Sequence, residues 1–203
     1  MKLTIPNQLT IIRIILTPVF LYFIIQPDQS LILLASLIFM FAALTDWYDG
    51  YIARRLNLTS RWGQFMDPFA DKILVSTALG AFAYLNYIYW WMVIVIVFRD
   101  FLITFLRSYA LYRGKAIITS NFAKWKTFFQ MVFIIALMIY INFPQLPDIH
   151  LNQTVNPFLL WTTLSLSFVV LLTAISGIHY LIVNRSHTIE LWRRFSRSVF
   201  YKE

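Results

Sequence analysis

The chain has 203 residues, of which 60% are hydrophobic and only 13% are charged. A soluble domain of this length needs more polar surface, so the composition excludes an ordinary water-soluble fold and indicates a membrane protein. The net charge is +8. Because the basic residues cluster at the ends of apolar segments, they indicate membrane topology and contact with anionic lipid, not with nucleic acid.

Six apolar stretches are long enough to cross the hydrocarbon core of a bilayer, which takes about 20 residues. The predicted helices are Leu9–Ile25, Leu31–Arg55, Phe65–Leu85, Trp90–Tyr112, Phe122–Ile141 and Pro157–Val183. The first is expected to be a retained helix and not a signal peptide, since it lacks an Ala-x-Ala-like cleavage site and Arg13 interrupts the run. We therefore predict an all-α integral membrane protein in which residues 1–185 form one bundle of six transmembrane helices.

Lysine and arginine alternate between the predicted loops. They lie at the N-terminal side, around the second and fourth loops and at the C-terminal end, whereas the loops near Pro27, near Tyr87 and from Phe143 to Asn156 carry none. By the positive-inside rule, this alternation predicts that both termini and a polar cavity face the cytoplasm. The basic tail, residues 186–203, fits either an interfacial helix on anionic lipid or a frayed charged segment.

Four aspartates fall in or at the edge of apolar helices, where charge is costly and usually functional. Asp46 and Asp49 are spaced i, i+3 and Asp67 and Asp71 i, i+4, so each pair shares one helix face. A short loop joins the second and third helices, so we expect them to pack as antiparallel neighbours with the pairs facing each other. Mg²⁺ or Mn²⁺ is the natural compensation for four carboxylates, because hard cations prefer oxygen ligands. With no cysteine in the chain, a thiolate zinc site is excluded.

Other roles for these aspartates stay open at this point. Carboxylates near a helix end could be solvated or paired with Arg54, Arg55 and Lys72, and carboxylates inside a membrane can form a cation relay in a transporter. The neighbouring residues favour a phosphate ligand. Gly50 and Ala53 remove side-chain bulk beside the carboxylates, and Arg54 suits bidentate phosphate binding. Metal ions, small residues and an arginine together indicate a ligand that contains pyrophosphate.

The whole run reads Asp46-x-x-Asp49-Gly50-x-x-Ala53-Arg54, then eight residues, then Gly63-x-x-x-Asp67-x-x-x-Asp71. It resembles the signature of the CDP-alcohol phosphotransferases, with every signature position filled. The resemblance implies that two Mg²⁺ or Mn²⁺ ions bind the CDP pyrophosphate. Their four ligands would be Asp46, Asp49, Asp67 and Asp71. It implies that Asp71 is also the general base. It further implies a homodimer, and a CDP site lined by Gly50, Ala53, Arg54 and Gly63.

A second set of residues bears on the acceptor. Four segments resemble bacterial phosphatidylglycerophosphate synthases of this family. They are the opening Ile5-Pro6-Asn7-Gln8-Leu9-Thr10, then Arg99-Asp100-Phe101, Leu106-Arg107 and Ala123-Lys124-Trp125-Lys126-Thr127. Those enzymes commonly carry Glu where Asp100 stands. The resemblance implies that the phosphate of sn-glycerol 3-phosphate is bound by Arg99, Arg107, Lys124 and Lys126. Asn7 and Thr10 are assigned to the CDP site, or alternatively to an ordinary helix cap.

The predicted activity follows from both resemblances. The phosphatidyl group of CDP-diacylglycerol would pass to sn-glycerol 3-phosphate in a bacterial cytoplasmic membrane, giving phosphatidylglycerophosphate and CMP. Two alternatives are a sister enzyme with another acceptor, of the cardiolipin or inositol phosphate type, and a cation-coupled transporter.

Arg99 lies in the middle of an apolar helix, so it is expected to need a partner. Asp100 is adjacent in sequence but is expected on another face.

Overall fold

A computed structural model of the protein describes residues 5–56, 61–112, 121–143 and 157–183. These residues form six α-helices: α1 (Ile5–Ile24), α2 (Gln29–Leu56), α3 (Arg61–Tyr84), α4 (Trp90–Tyr112), α5 (Asn121–Asn142) and α6 (Pro157–Val183). All six predicted helices are confirmed as helices. The predicted interfacial helix in the basic tail lies outside the described residues.

The predicted helix ends differ most at the start of α1 and of α3. Each of these helices already includes residues four positions before the predicted start, Ile5 instead of Leu9 and Arg61 instead of Phe65. Apolar periodicity marks only the part of a helix that meets lipid or core, and a proline such as Pro6 is tolerated in a first turn. Asn7 and Thr10 therefore lie inside α1, and the alternative that they cap a helix is wrong.

Two short turns close one end of the molecule. Asp28 precedes α2, and its Oδ1 accepts hydrogen bonds from the Ser30 backbone N–H at 2.8 Å and the Ser30 hydroxyl at 2.6 Å. Both hydrogen bonds lower the pKa of the Asp28 carboxyl, the bond from the hydroxyl more than the bond from the backbone. At the end of α3, Asn86 takes a positive φ of 61°, which asparagine tolerates better than most residues. The Tyr87 N–H then reaches back to the Phe82 carbonyl at 2.9 Å, which satisfies a carbonyl at the helix terminus.

The helices follow one another around a closed ring in the order α2, α1, α3, α4, α6, α5. In the described part of the chain, α1 is the main neighbour of both α2 and α3. The predicted contact of α2 with α3 beside the aspartate pairs falls on residues whose side chains lie outside the described part of the chain, so it stays a prediction. On α1, Phe20 packs against Phe39 of α2, and both Phe20 and Ile24 belong to the buried core.

Polar contacts between α2 and α5 close the ring of helices at the end of the bundle where Asp28 lies. The Gln29 side-chain amide donates to the carbonyls of Ile141 and Asn142, both at 3.1 Å. The Asn142 amide in turn donates to the Ser36 hydroxyl at 2.8 Å. At the same end, Tyr140 of α5 stacks on Phe158 of α6 with ring centroids 4.1 Å apart.

A continuous apolar core runs through the bundle. It draws buried side chains from all six helices, among them Phe39, Leu79, Met92, Leu137 and Leu166. Many large apolar side chains also face outward, which a soluble protein of this size rarely shows. By length and composition, two of the described helices could cross a membrane: Phe122–Asn142 and Phe158–Val183.

Phe39 gives a direct test of the packing. Phe39 is fully buried against Phe20, with ring centroids 5.5 Å apart, whereas Phe41, on the other side of α2, is 57% exposed. We expect Phe39→Ala to lower the free energy of unfolding by about 3–5 kcal/mol, because it leaves a cavity in the core. Phe41→Ala should change it by no more than about 0.5 kcal/mol. Thermal denaturation of the two purified variants in one detergent makes the comparison, and equal losses would contradict the assigned faces.

Candidate active site

The four aspartates of the signature lie at matching levels of α2 and α3. Asp46 stands ten residues before Leu56, where α2 ends, and Asp71 stands ten residues after Arg61, where α3 begins. Because both helices rise about 1.5 Å per residue, positions at equal distance from the connection lie at a similar depth. The helical spacing also puts each pair on one face. The side chains of Asp46, Asp49, Asp67, Ala53 and Arg54 lie outside the described residues, as do the surroundings of Gly50 and Gly63.

Asp71 is the one signature aspartate whose side chain is described. Its carboxylate is 31% exposed, and its Oδ2 lies 3.2 Å from the Nζ of Lys72. Lys72 also interacts electrostatically with Asp100 and with Arg99 of α4. Lys72 therefore stands between the predicted metal ligands and a second charged cluster, which is centred on Asp100.

The charged cluster is built around a fully enclosed ion pair. Lys126 of α5 has no exposed side-chain surface, and Asp100 of α4 is only 3% exposed. The Lys126 Nζ donates to both carboxylate oxygens of Asp100, at 2.6 Å to Oδ1 and 2.5 Å to Oδ2. Withdrawing each of these charges from water costs several kcal/mol, and only a close, well-bonded partner of opposite charge offsets that cost. The pair thus fixes α4 against α5 at this level.

Arg99 extends the cluster to α6. Its Nη1 donates to Asp100 Oδ1 at 3.2 Å, and its Nη2 donates to the Ser176 hydroxyl at 2.9 Å. The expectation that Arg99 needs a partner is confirmed, and Asp100 is one of its two partners although adjacent positions lie on different faces of a helix. A long guanidinium stem can bend around the helix to the adjacent residue. The stem passes beside Gly177 of α6, where an added Cβ would stand in ordinary contact with the Arg99 Cγ at 3.5 Å.

The other predicted phosphate ligands lie away from this pair. Lys124 and Arg107 are exposed, and Lys124 is two residues from Lys126, so the two lysines point to different sides of α5. Arg107 lies two turns beyond Arg99 on α4 and interacts electrostatically with Tyr180 of α6, as Arg99 also does. The structure thus brings Arg99 and Lys126 together and leaves Arg107 and Lys124 nearer the surface.

Buried polar residues at helical spacing extend the interior polar region. On α4 they are Asp100, Thr104 and Ser108, and on α6 they are Thr173, Ser176 and Tyr180. On α5, Gln130 lies one turn beyond Lys126, and its amide nitrogen has no hydrogen-bond partner. Apart from Asp100, none of these positions was assigned to the site from the sequence. Polar residues repeating every three or four positions inside an apolar helix were the available signal.

A similar buried face occurs on α1. Thr10, Arg13 and Thr17 are all buried, at spacings of three and four residues. The Thr17 hydroxyl donates to the Arg13 carbonyl at 2.9 Å. Since α1 packs against both α2 and α3, it carries polar groups between the two helices that bear the signature aspartates. This position is compatible with the predicted role of Thr10 in nucleotide binding.

The donor set fits a hard divalent cation. The signature supplies carboxylate oxygens alone, and the described member, Asp71, keeps partly exposed carboxylate surface for a ligand. Among the side chains that the structure describes, no three acidic or histidine groups cluster closely enough to hold a metal. The predicted metal site combines Asp71 with Asp46, Asp49 and Asp67, whose side chains lie outside the described residues, and it stays a prediction. His179 packs edge-on against Phe122, with ring centroids 5.8 Å apart.

Known proteins resemble this chain along most of its length. The model of the CDP-alcohol phosphatidyltransferase family matches residues 3–169. A CDP-diacylglycerol–glycerol-3-phosphate 3-phosphatidyltransferase of Haemophilus influenzae is 35% identical over 167 residues, which cover 80% of this chain and 90% of the relative. Proteins with the same name from Bacillus subtilis and Blochmanniella floridana are 38% and 43% identical. Each of those matches covers 68% of this chain, and 78% and 75% of the relative, respectively.

The two lysines of α5 test the geometry of the cluster. Lys126→Met should lower the free energy of unfolding by about 3–5 kcal/mol, because it leaves the buried Asp100 carboxylate without its main counter-ion. Lys124→Met, two residues away and exposed, should change it by no more than about 0.5 kcal/mol. Denaturation midpoints of both variants in detergent measure the difference. A Lys126 variant as stable as the Lys124 variant would contradict the enclosed ion pair.

Proposed function

This chain belongs to the CDP-alcohol phosphatidyltransferase family, and we propose that it transfers the phosphatidyl group of CDP-diacylglycerol to sn-glycerol 3-phosphate. The products are phosphatidylglycerophosphate and CMP. The observation that carries this proposal is the placement of the Arg99 cluster beside Asp71 and Lys72. Relatives from three bacteria carry the name of this activity, which supports the choice of both substrates.

The reaction exchanges the phosphoanhydride linkage of the pyrophosphate for a new phosphate ester linkage. A hydroxyl oxygen of the acceptor forms a bond to the β-phosphorus of CDP-diacylglycerol, and the bond from that phosphorus to the bridging pyrophosphate oxygen breaks. CMP leaves with the bridging oxygen, and the hydroxyl proton passes to a base. We assign the base to Asp71, since an unassisted hydroxyl is a poor nucleophile and Asp71 keeps a partly exposed carboxylate.

Two Mg²⁺ or Mn²⁺ ions would be held by Asp46, Asp49, Asp67 and Asp71. When bound, they would neutralise the pyrophosphate and stabilise the charge that develops on the leaving oxygen. The other proposed contacts with the nucleotide come from α1, α2 and α3: Asn7, Thr10, Gly50, Ala53, Arg54 and Gly63. Small residues there let the nucleotide approach the helix backbone. The planar guanidinium of Arg54 can donate two hydrogen bonds to one phosphate.

The acceptor phosphate is proposed to lie on the α4 side of the site. Arg99, Arg107, Lys124 and Lys126 supply positive charge there. Arg99 is 14% exposed and lies close to Lys72, so an anion beside Arg99 would also stand near Asp71. This neighbourhood supports an acceptor that carries both a hydroxyl and a phosphate, because one end can reach the base while the other meets the cations.

The proposed membrane arrangement follows from the charge distribution. We propose that all six helices cross the cytoplasmic membrane of a bacterium, with both termini and a polar cavity on the cytoplasmic side. Lysine and arginine next to the helix ends would contact anionic lipid, and the basic tail would lie on the same surface. A homodimer is part of the proposal by family resemblance.

Release of CMP tests the function directly. Purified protein in detergent should release CMP from CDP-diacylglycerol when both sn-glycerol 3-phosphate and Mg²⁺ are present, and EDTA should stop the release. Metal-dependent release with another alcohol phosphate, but not with glycerol 3-phosphate, would replace the proposed acceptor. Folded protein that releases no CMP with any acceptor, yet takes up cations in proteoliposomes, would support a transporter instead.

Asp67→Asn tests the metal site. We expect this substitution to abolish CMP release while leaving the protein folded, because an amide is a much weaker metal ligand than a carboxylate. Asp28→Asn is the matched control, since asparagine caps a helix as well as aspartate does and Asp28 lies in a turn outside the site. Full turnover by the Asp67 variant at saturating metal would exclude Asp67 as a metal ligand.

A further inference from the structure

Arg99 is held at two points and keeps hydrogen-bonding capacity for a third. Its guanidinium carries five N–H groups. Nη1 donates to Asp100 and Nη2 to Ser176, while Nε is buried and has no hydrogen-bond partner. A buried donor without a partner costs free energy, so it favours any ligand that can accept from it. Arg99 also has some exposed side-chain surface, so a ligand can reach it.

Lys126 is more enclosed than Arg99 and lies closer to Asp100. Its side chain has no exposed surface, and its ammonium is bound to both oxygens of Asp100. An anion that enters the site meets Arg99 and Lys72 before it could meet Lys126. Its contact with Lys126 would require breaking a buried, charge-assisted pair, which is the strongest class of hydrogen bond in the cluster.

We propose that Asp100 is a positioning residue that aims Arg99 at the acceptor phosphate, and that Lys126 serves as the counter-ion of Asp100 instead of touching the substrate. This inference rests on the proposed function, because it takes the acceptor to be an alcohol that carries a phosphate. It gives different roles to two cations that the sequence pattern treats alike.

The charges explain why this arrangement needs all three residues. A carboxylate alone would hold Arg99 well, but it would also repel a phosphate a few ångströms away. Lys126 neutralises that carboxylate from the enclosed side, so the pair anchors Arg99 without adding negative charge to the site. The trio therefore presents one net positive charge, and that charge sits on the member that a ligand can reach.

The substituted enzymes are compared by the KM for sn-glycerol 3-phosphate at saturating CDP-diacylglycerol. KM does not depend on how much of a preparation is folded, so a loss of stability alone leaves it unchanged. Asp100→Asn should raise this KM by about tenfold or more, the usual effect of losing a hydrogen bond to a charged group. Asp100→Glu keeps a carboxylate at this position, so it should raise this KM much less than Asp100→Asn does. The KM for CDP-diacylglycerol should stay unchanged in both variants.

The double variant separates the counter-ion role from direct binding. Lys126→Gln alone should raise the KM for glycerol 3-phosphate, because it leaves an uncompensated carboxylate that repels the phosphate. Adding Asp100→Asn to it removes that carboxylate, so the double variant should have a lower KM than Lys126→Gln alone. Thr162→Val, a buried change on α6 far along the helix from Ser176, should leave both KM values at the wild-type level.

Three results would overturn the inference. If Lys126 binds the phosphate itself, the double variant will have a KM at or above that of Lys126→Gln. If Asp100 is only structural, Asp100→Asn will leave the KM for glycerol 3-phosphate at the wild-type value or raise both KM values equally. Wild-type protein that releases no CMP with glycerol 3-phosphate would remove the proposed function and this inference together, whereas active wild type with an unaffected Asp100 variant removes the inference alone.

Discussion

The buried ion pair between Asp100 and Lys126 is the interaction on which the interior of this bundle depends. Two charges are held where almost no water reaches them, so each is tolerable only because the other is present. Through Asp100 the pair also holds Arg99, and through Arg99 it reaches Ser176. One carboxylate thus links α4, α5 and α6 at a single level and fixes the position of a cation that a ligand can reach.

The bundle brings together two sets of polar residues that are far apart in sequence. One set is the run of aspartates and small residues on α2 and α3, and the other is the cation cluster of α4, α5 and α6. Asp71 and Lys72 connect them, since Asp71 belongs to the signature while Lys72 interacts with Asp100. In the proposed function the attacking hydroxyl lies at this junction, with the nucleotide on one side and the acceptor phosphate on the other.

Much of the fold was predictable because a helix that meets lipid or core carries a long run of apolar residues. All six helices were found in this way, but their polar ends at Ile5 and Arg61 were not, since apolarity stops before the helix does. The packing of α1 against both α2 and α3 could not be predicted from loop length, because a loop constrains only the two helices that it joins.

The candidate site was also predictable only in part. The four aspartates were recognised from their spacing along single helices, and the basic residues from their resemblance to bacterial phosphatidylglycerophosphate synthases. The pairing of Asp100 with Lys126 was not, because it joins residues 26 positions apart on different helices. Lys72 was treated only as a basic residue near a loop or as a partner for the aspartates. Its place between the two halves of the site depends on the packing of α3 against α4.

An experimental structure of the protein with sn-glycerol 3-phosphate and Mg²⁺ bound would test this account most directly. We predict that the acceptor phosphate accepts hydrogen bonds from Arg99, that a metal ion lies on Asp71, and that Lys126 remains on Asp100. A phosphate bound by Lys126 with Asp100 displaced, or one bound away from Arg99 altogether, would contradict it.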